Sequence, residues 1–193
     1  MTSPEPTDGQ LLMNCRRGDP RSFGLLIERY QDRIYNTALG MLGSPEDAAD
    51  VAQEVFIKAW RSLAGFRGDS SFLTWVTRIT YNTVISHRRK GGIQTQSLWI
   101  EDDDSREEKA SDNPGVDPAD ESLSREAQQR VRAAIAALPD DARRLVVLRD
   151  IEGMEYEEIA DVTGLPLGTV KSRLHRARMQ LKETLEPYAA ENA

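Results

Sequence analysis

From residue 91 to residue 122 the chain has little that a hydrophobic core can use, and this stretch divides the rest in two. It contains EDDDSREE and DNPGVDPADE, holds 2 Lys/Arg against 10 Asp/Glu, and is interrupted at Pro114, Gly115 and Pro118. Like charges, chain breakers and few apolar residues cannot offset the cost of ordering a backbone. The expectation is an acidic flexible linker over 91–122 between two small helical domains, 1–90 and 123–193, an all-α fold. Its 32 residues would span about 30 Å as a flexible coil, and more once the acids repel one another. A chain of 193 residues with 39% hydrophobic content is long enough for two compact cores of this size.

The second domain carries YEEIADVTGLPLGTVKSRLHRARMQL, Tyr156 to Leu181, which reads as two short helices broken at Gly164. Glycine supplies the tight turn without a Cβ penalty, and Pro166 with Thr169 marks the start of the second helix. At 3.6 residues per turn, Val170, Leu174, Ala177 and Leu181 share one face, and Lys171, Ser172, His175 and Arg176 point largely the other way. Ile159 and Ala160 are apolar where the two helices cross. This pattern is the outline of a DNA-reading helix-turn-helix; the lesser alternative is an amphipathic hairpin with a solvated charged face.

From Leu11 to Arg89 apolar residues recur at helical spacing, with breaks at Gly18-Asp19-Pro20, Gly43-Ser44-Pro45 and Gly65 to Asp69. Phe23, Leu26, Ile27 and Tyr30 form one core stripe, and Ile34, Ala38, Leu39 and Leu42 a later one. Ser44 is placed to cap the next helix, with Pro45 at its first position and Asp47 in its first turn. That helix turns Ala49, Ala52, Val55, Phe56 and Ala59 inward and Asp50, Gln53, Glu54 and Lys58 outward. Pattern alone makes this outer face a solvated surface. After the Gly65 to Asp69 loop, Phe72, Trp75, Val76, Ile79 and Val84 line a buried stripe, leaving Thr74, Arg78, Tyr81, Asn82 and the basic end His87 to Lys90 for water or a ligand. Aromatics beside cations and amides suit single-stranded DNA, although Phe72 and Trp75 themselves read as core.

The net charge of −7 argues against a nucleic-acid partner only until it is mapped. Residues 1–90 hold 12 Lys/Arg against 10 Asp/Glu, and residues 123–193 hold 11 against 12, so the acidity sits in the linker. Cys15 has no partner for an internal disulfide, and with His87 and His175 as the two histidines no cluster has metal-ligand spacing. No cofactor is expected. No apolar run approaches the ~20 residues that cross a bilayer, and the polar start MTSPEPTDGQ is unlike a secretory signal, so a cytoplasmic protein without membrane insertion is expected. Enzymatic chemistry has little support. There is no phosphate-binding Gly-rich loop, and GDSSF lacks a base partner.

Three segments together resemble a bacterial RNA polymerase sigma factor of the small, two-domain extracytoplasmic-function group. DAADVAQEVFIKAW resembles the helix that docks on the polymerase clamp. FRGDSSFLTWVTRITYN resembles the segment that melts and reads the minus-ten element, and YEEIADVTGLPLGTVKSRLHRAR the minus-thirty-five reader. The resemblance implies that Asp50, Gln53 and Glu54 face the clamp, with Phe56 and Trp60 chiefly holding that helix in its domain. It implies that Phe66 to Phe72, including Phe66, Arg67, Asp69 and Ser70, form a loop that captures a flipped base, flanked by Arg78 and Asn82. Lys171, Ser172, Arg173, His175 and Arg176 would approach the upstream element, some at bases and some at phosphates. The implied partners are core RNA polymerase through its clamp and flap regions, promoter DNA and an anti-sigma factor. The acidic linker resembles the connector that threads polymerase channels; its charge suits mimicry of RNA and suits plain solubility. Domains of +2 and −1 offer phosphate little sequence-independent attraction, so weak DNA binding by the free protein is expected. The rival reading is a transcriptional regulator whose amino-terminal helices sense a signal or dimerise.

Overall fold

The computed structural model describes the backbone of residues 5–90 and 121–191, and the side chains of 5–90 and 126–188 among them. The described residues are all-helical and form two compact units, one on each side of residues 91–120. The expected linker lies outside the described residues up to 120. Glu121 and Ser122, the last residues of that expected linker, belong to a helix.

The first unit contains α1 (Asp8–Arg16), α2 (Pro20–Leu42), α3 (Pro45–Ser62), a 3₁₀ turn (Leu63–Gly65) and α4 (Phe72–Lys90). Asp19 caps α2 by accepting from the Arg21 amide at 3.0 Å, ahead of Pro20 at the first helical position. The Gly43 amide closes α2 on the Leu39 carbonyl, and Ser44 Oγ accepts the Asp47 amide at 3.3 Å to open α3 as expected. The break between them is short, and the Phe23 and Trp60 rings lie 5.0 Å apart, so α2 and α3 run antiparallel. Leu26, Ile34, Ala38 and Met41 meet Ala48, Val51, Val55 and Ala59 in a core completed by Val76 and Val84 of α4 and Leu11 of α1.

The inward face of α3 differs from the sequence expectation. Ala49 is exposed and Ala52 half-buried, while Ala48 and Val51 are sealed. Alanines at 48, 49 and 52 give the pattern no direction, and burying Val51 with Val55 sets the rotation. In α2, Ile27, Tyr30, Leu39 and Leu42 are half-buried flanks of the stripe; in α4 the same holds for Trp75 and Ile79. Cys15 is a buried helix residue. Thr37, Thr80 and Thr83 are buried too, each donating its hydroxyl to the carbonyl four residues earlier, at 2.7 to 2.9 Å. This local bond satisfies a polar group that a helix interface could not otherwise hold.

The second unit contains α5 (Glu121–Ala137), α6 (Asp140–Val146) running into a π turn (Val147–Ile151), α7 (Tyr156–Thr163) and α8 (Leu167–Glu191). Glu155 opens α7 through a capping box in which Glu158 accepts the Glu155 amide at 3.0 Å. Gly164 closes it at φ 71°, in the left-handed region that only glycine adopts cheaply, and its amide donates to the Ala160 carbonyl. The second helix begins at Leu167, with Pro166 just ahead and Thr169 inside its first turn; it runs on through Leu181 to Glu191. Ile159, Val170, Leu174 and Ala177 are buried together with Leu145, Val147 and Leu148, so the apolar face of the helix-turn-helix is the core of this unit. Ala160 and Leu181 are half-buried at its margin.

Leu174 is the large side chain at the centre of that face. Leu174→Ala should destabilise the second unit by about 2–5 kcal/mol, the usual cost of such a cavity, read as a lower urea midpoint followed by circular dichroism.

Candidate nucleic-acid interface and docking face

Burying Val51, Val55 and Ala59 forces the opposite ridge of α3 outward. Asp50 and Gln53 are exposed on it, and Glu54 is half-buried at its edge. The Glu54 carboxylate lies 2.9 Å from Lys58 Nζ, which also donates to Thr83 Oγ1 of α4 at 3.1 Å. The Lys58 hydrogen bond holds the Glu54 carboxyl below the usual carboxylate range. Glu54 thus has a partner in its own unit, while Asp50 and Gln53 stand forward. One turn on, Ile57 is 51% exposed and Trp60 43% exposed, giving the acidic face an apolar end. Trp60 therefore holds α3 in place only in part, through Phe23. The 50, 53, 57, 60 spacing carried this signal in the sequence, but an apolar residue on an exposed ridge is easily assigned to core.

The start of α3 is tied to the end of α4 by His87 Nε2 and an Asp47 carboxylate oxygen 3.0 Å apart. Hydrogen bonds from His87 and then Ser44 lower the Asp47 pKa.

Between α3 and α4 the chain changes character at Phe66. Its ring is only 6% exposed, 4.9 Å from Trp75 and 6.3 Å edge-on from Phe72. Phe66, expected among the contact residues, is thus packed inside its unit against Trp75 and Phe72, and Phe72 packs in turn on Tyr30 at 5.5 Å. Arg67 and Asp69 are exposed on either side of Gly68, whose φ of 86° turns the loop, and Ser70 is half-buried. Ser71 Oγ then accepts the Thr74 amide at 3.0 Å and starts α4. Arg78, half-buried, and Asn82, exposed, sit one turn apart along α4. Arg67, Asp69 and Ser70 are thus a short polar arch standing on an aromatic floor.

On α8 the five expected residues separate into two groups. Lys171 and His175 are exposed, and Arg176 and Ser172 are half-buried, with Ser172 Oγ donating to the Thr169 carbonyl at 3.2 Å. Arg173 is different. Its side chain is 14% exposed, and Nη1 lies 3.7 Å from the carboxylate of Asp141, which also accepts from the buried Arg144. Asp141 therefore links α6 to α8, and Arg173 spends much of its charge inside the unit. No pattern in the chain announces this link, because Asp140-Asp141 and Arg143-Arg144 look like ordinary surface charge. A second link joins Arg178 to Asp150 at 2.6 Å. The Tyr156 ring lies under the Arg149 guanidinium at 4.6 Å and near Lys171 Nζ at 5.9 Å.

These two surfaces fall within two matched families. Residues 26–92 match Sigma-70 region 2, and residues 128–181 match Sigma-70, region 4. The RNA polymerase sigma-H factor of Pseudomonas aeruginosa is 39% identical over 186 residues, 95% of this chain and 96% of that protein. This chain belongs to the extracytoplasmic-function sigma factors. The ECF RNA polymerase sigma-E factor of Escherichia coli is 37% identical over 190 residues, 96% of this chain and 97% of its own. Among solved structures, CnrH in complex with the cytosolic domain of CnrY has a TM-score of 0.61 at 26% identity, covering 92% of this chain and 96% of CnrH. The sigma factor RpoE of Bartonella quintana, solved with the anti-sigma factor NepR, has a TM-score of 0.62 at 26% identity, covering 86% and 98%. In this sigma factor the region 2 match begins at Leu26, so α1 and the start of α2 lie ahead of it.

Two measurements test the site geometry. Arg173→Ala should lower stability by about 1 kcal/mol because it removes one of the two guanidinium partners of Asp141 and leaves Arg144 as the other, whereas Lys171→Ala should stay within about 0.5 kcal/mol of wild type. Asp47 titrates below its ordinary value in the folded chain, so its contribution is complete above the unfolded value and is lost as pH falls through the lowered one. Urea unfolding from about pH 5 to about pH 2 should accordingly show a shallower loss of stability for Asp47→Asn than for wild type.

Proposed function

We propose that this sigma factor grips core RNA polymerase through the exposed ridge of α3 and the promoter at two points. As a sigma factor it binds core polymerase and promoter DNA and directs initiation at minus-ten and minus-thirty-five elements. The observation that supports the residue assignment best is the polar arch of Arg67, Asp69 and Ser70 beside Arg78 and Asn82. Its backbone is fixed by a buried ring, so its side chains need little ordering when a strand arrives.

In this reading, residues 1–90 dock on the clamp through Asp50 and Gln53, with Glu54 at the edge and Ile57 and Trp60 extending the contact. Arg67, Asp69 and Ser70 receive a base taken out of the stack, and Phe66 supports them from below. Arg78 and Asn82 flank the opened strand. Residues 123–193 place Lys171, Ser172, His175 and Arg176 at the upstream element, and Arg173 orients the helix from inside. The 91–122 segment is the connector between the two grips.

The chain makes no covalent change. Polymerase carries out phosphoryl transfer, and the sigma factor adds binding energy that is realised only when the strands are apart. An anti-sigma factor that covers these surfaces would hold it idle, as NepR is bound to RpoE in the solved complex. None of the described helices is long and apolar enough to cross a membrane, and action in the cytoplasm fits its polymerase partner.

Run-off transcription with purified core polymerase tests the proposal; no initiation at any cognate promoter would favour the regulator reading. Asp50→Arg should weaken binding to core polymerase about tenfold or more, since it reverses a charge on the docking ridge; an unchanged Kd would remove Asp50 from that role. A gel shift at physiological salt should show weak promoter binding by the free protein and tight binding only with polymerase.

A further inference from the structure

Helix α1 reaches the polar arch through one side chain. A capping box opens α1: Thr7 Oγ1 accepts the Gln10 amide at 3.3 Å, and Gln10 Oε1 accepts the Thr7 amide at 2.8 Å. Leu11 and Cys15, four residues apart, form its buried face. Its first turn is tied to α2 because the Asp8 carboxylate accepts from Arg29 and from the Tyr30 hydroxyl. Tyr30 in turn stacks on Phe72, at the foot of the arch. An axis held in this way presents its last turn in a defined place, and that turn carries Arg16.

Arg16 Nη2 donates to the backbone carbonyl of Phe66, 50 residues further along the chain. This carbonyl sits where the loop leaves the unit. The Phe66 amide closes the 3₁₀ turn on the Leu63 carbonyl at 3.1 Å, the ring is sealed among aromatics, and the next residue, Arg67, is exposed. Only the peptide plane after Phe66 is left to set the direction in which Arg67, Gly68 and Asp69 depart. A charged donor on that carbonyl is among the stronger single restraints a side chain can apply.

We propose that Arg16 is a positioning residue for base capture: by holding the Phe66 carbonyl it sets where Arg67, Asp69 and Ser70 stand relative to the unpaired strand. This rests on the reading of residues 66–72 as the capture loop. It gives α1, which lies ahead of the matched region 2, a part in promoter opening. Arg16 acts through the loop and does not itself touch DNA.

The test uses holoenzyme assembled from core polymerase and the full chain. Fluorescence anisotropy measures its Kd for a labelled single-stranded oligonucleotide carrying the non-template minus-ten sequence of a promoter mapped by transcript sequencing. The same strand with the captured base substituted, and a salt series, complete the set. Arg16→Ala should weaken the matched strand about tenfold, as loss of one charge-assisted hydrogen bond predicts. Discrimination between matched and substituted strands should fall with it, and the salt slope should stay at the wild-type value. Arg16→Met keeps the aliphatic stem, removes only the donor, and should behave alike; its thermal midpoint and affinity for core polymerase report on folding. Discrimination retained in both variants would overturn the proposal. So would a salt slope reduced by about one phosphate contact, because Arg16 would then bind the strand directly. Asp69→Ala separates the role of Arg16 from that of the loop: if it abolishes discrimination while the Arg16 variants do not, only the role of Arg16 fails. If Asp69→Ala also leaves discrimination intact, the capture-loop reading fails as well.

Discussion

The spacing between α2, α3 and α4 is set by small side chains, and the functional surfaces of the first unit inherit their positions from it. Ala38, Ala48 and Ala59 are fully buried with Val51, Val55 and Val76, so the helices approach closely and few rotations of each are allowed. Once Val51 and Val55 face α2 and α4, Asp50 and Gln53 must face water. The threonines fit the same economy of volume, since a hydroxyl turned back on its own helix occupies little more room than a methyl group. An overlarge residue at any of these places would rotate the exposed ridge of α3, the proposed docking face, as well as strain the core.

The second unit solves a different problem. Its core is small, and two arginines, Arg143 and Arg144, are buried in it, with Asp140 and Asp141 beside them on the same short helix. Burial lowers the Arg143 pKa, the direction desolvation demands. Buried ion pairs seldom add stability over apolar residues of equal size, but they are specific about geometry. Here the geometry includes Arg173, so the helix offered to DNA is anchored by the same carboxylate that neutralises Arg144.

Much of this was legible from the chain. Ser44-Pro45 placed the start of α3 because capping chemistry is local, and Gly164 placed the helix-turn-helix break for the same reason. The Val170, Leu174, Ala177 stripe was legible because large and small apolar residues fell on one face without competitors. Rotation of α3 was not, since Ala48, Ala49 and Ala52 are interchangeable to a pattern and only packing chooses between them. The burial of Phe66 was not legible, because its neighbours in sequence are loop residues while its neighbours in space are Phe72 and Trp75. The split of Arg173 from Lys171 lay beyond sequence altogether: it depends on Asp141, 32 residues away, reaching a carboxylate across from another helix.

The ion pairs of Arg173 and Arg178 also bear on how the second unit finds its target. Charge already matched within the fold projects little field, and a surface without a field does not draw DNA from a distance. Under the proposed two-point grip, encounter by this unit alone would be little steered, and a site met by chance would be left as readily as it is found unless a second attachment keeps the unit nearby. A reader tethered in that way would search the DNA its carrier already holds, and selection between sites would be made by how long it stays, rather than by how fast it arrives.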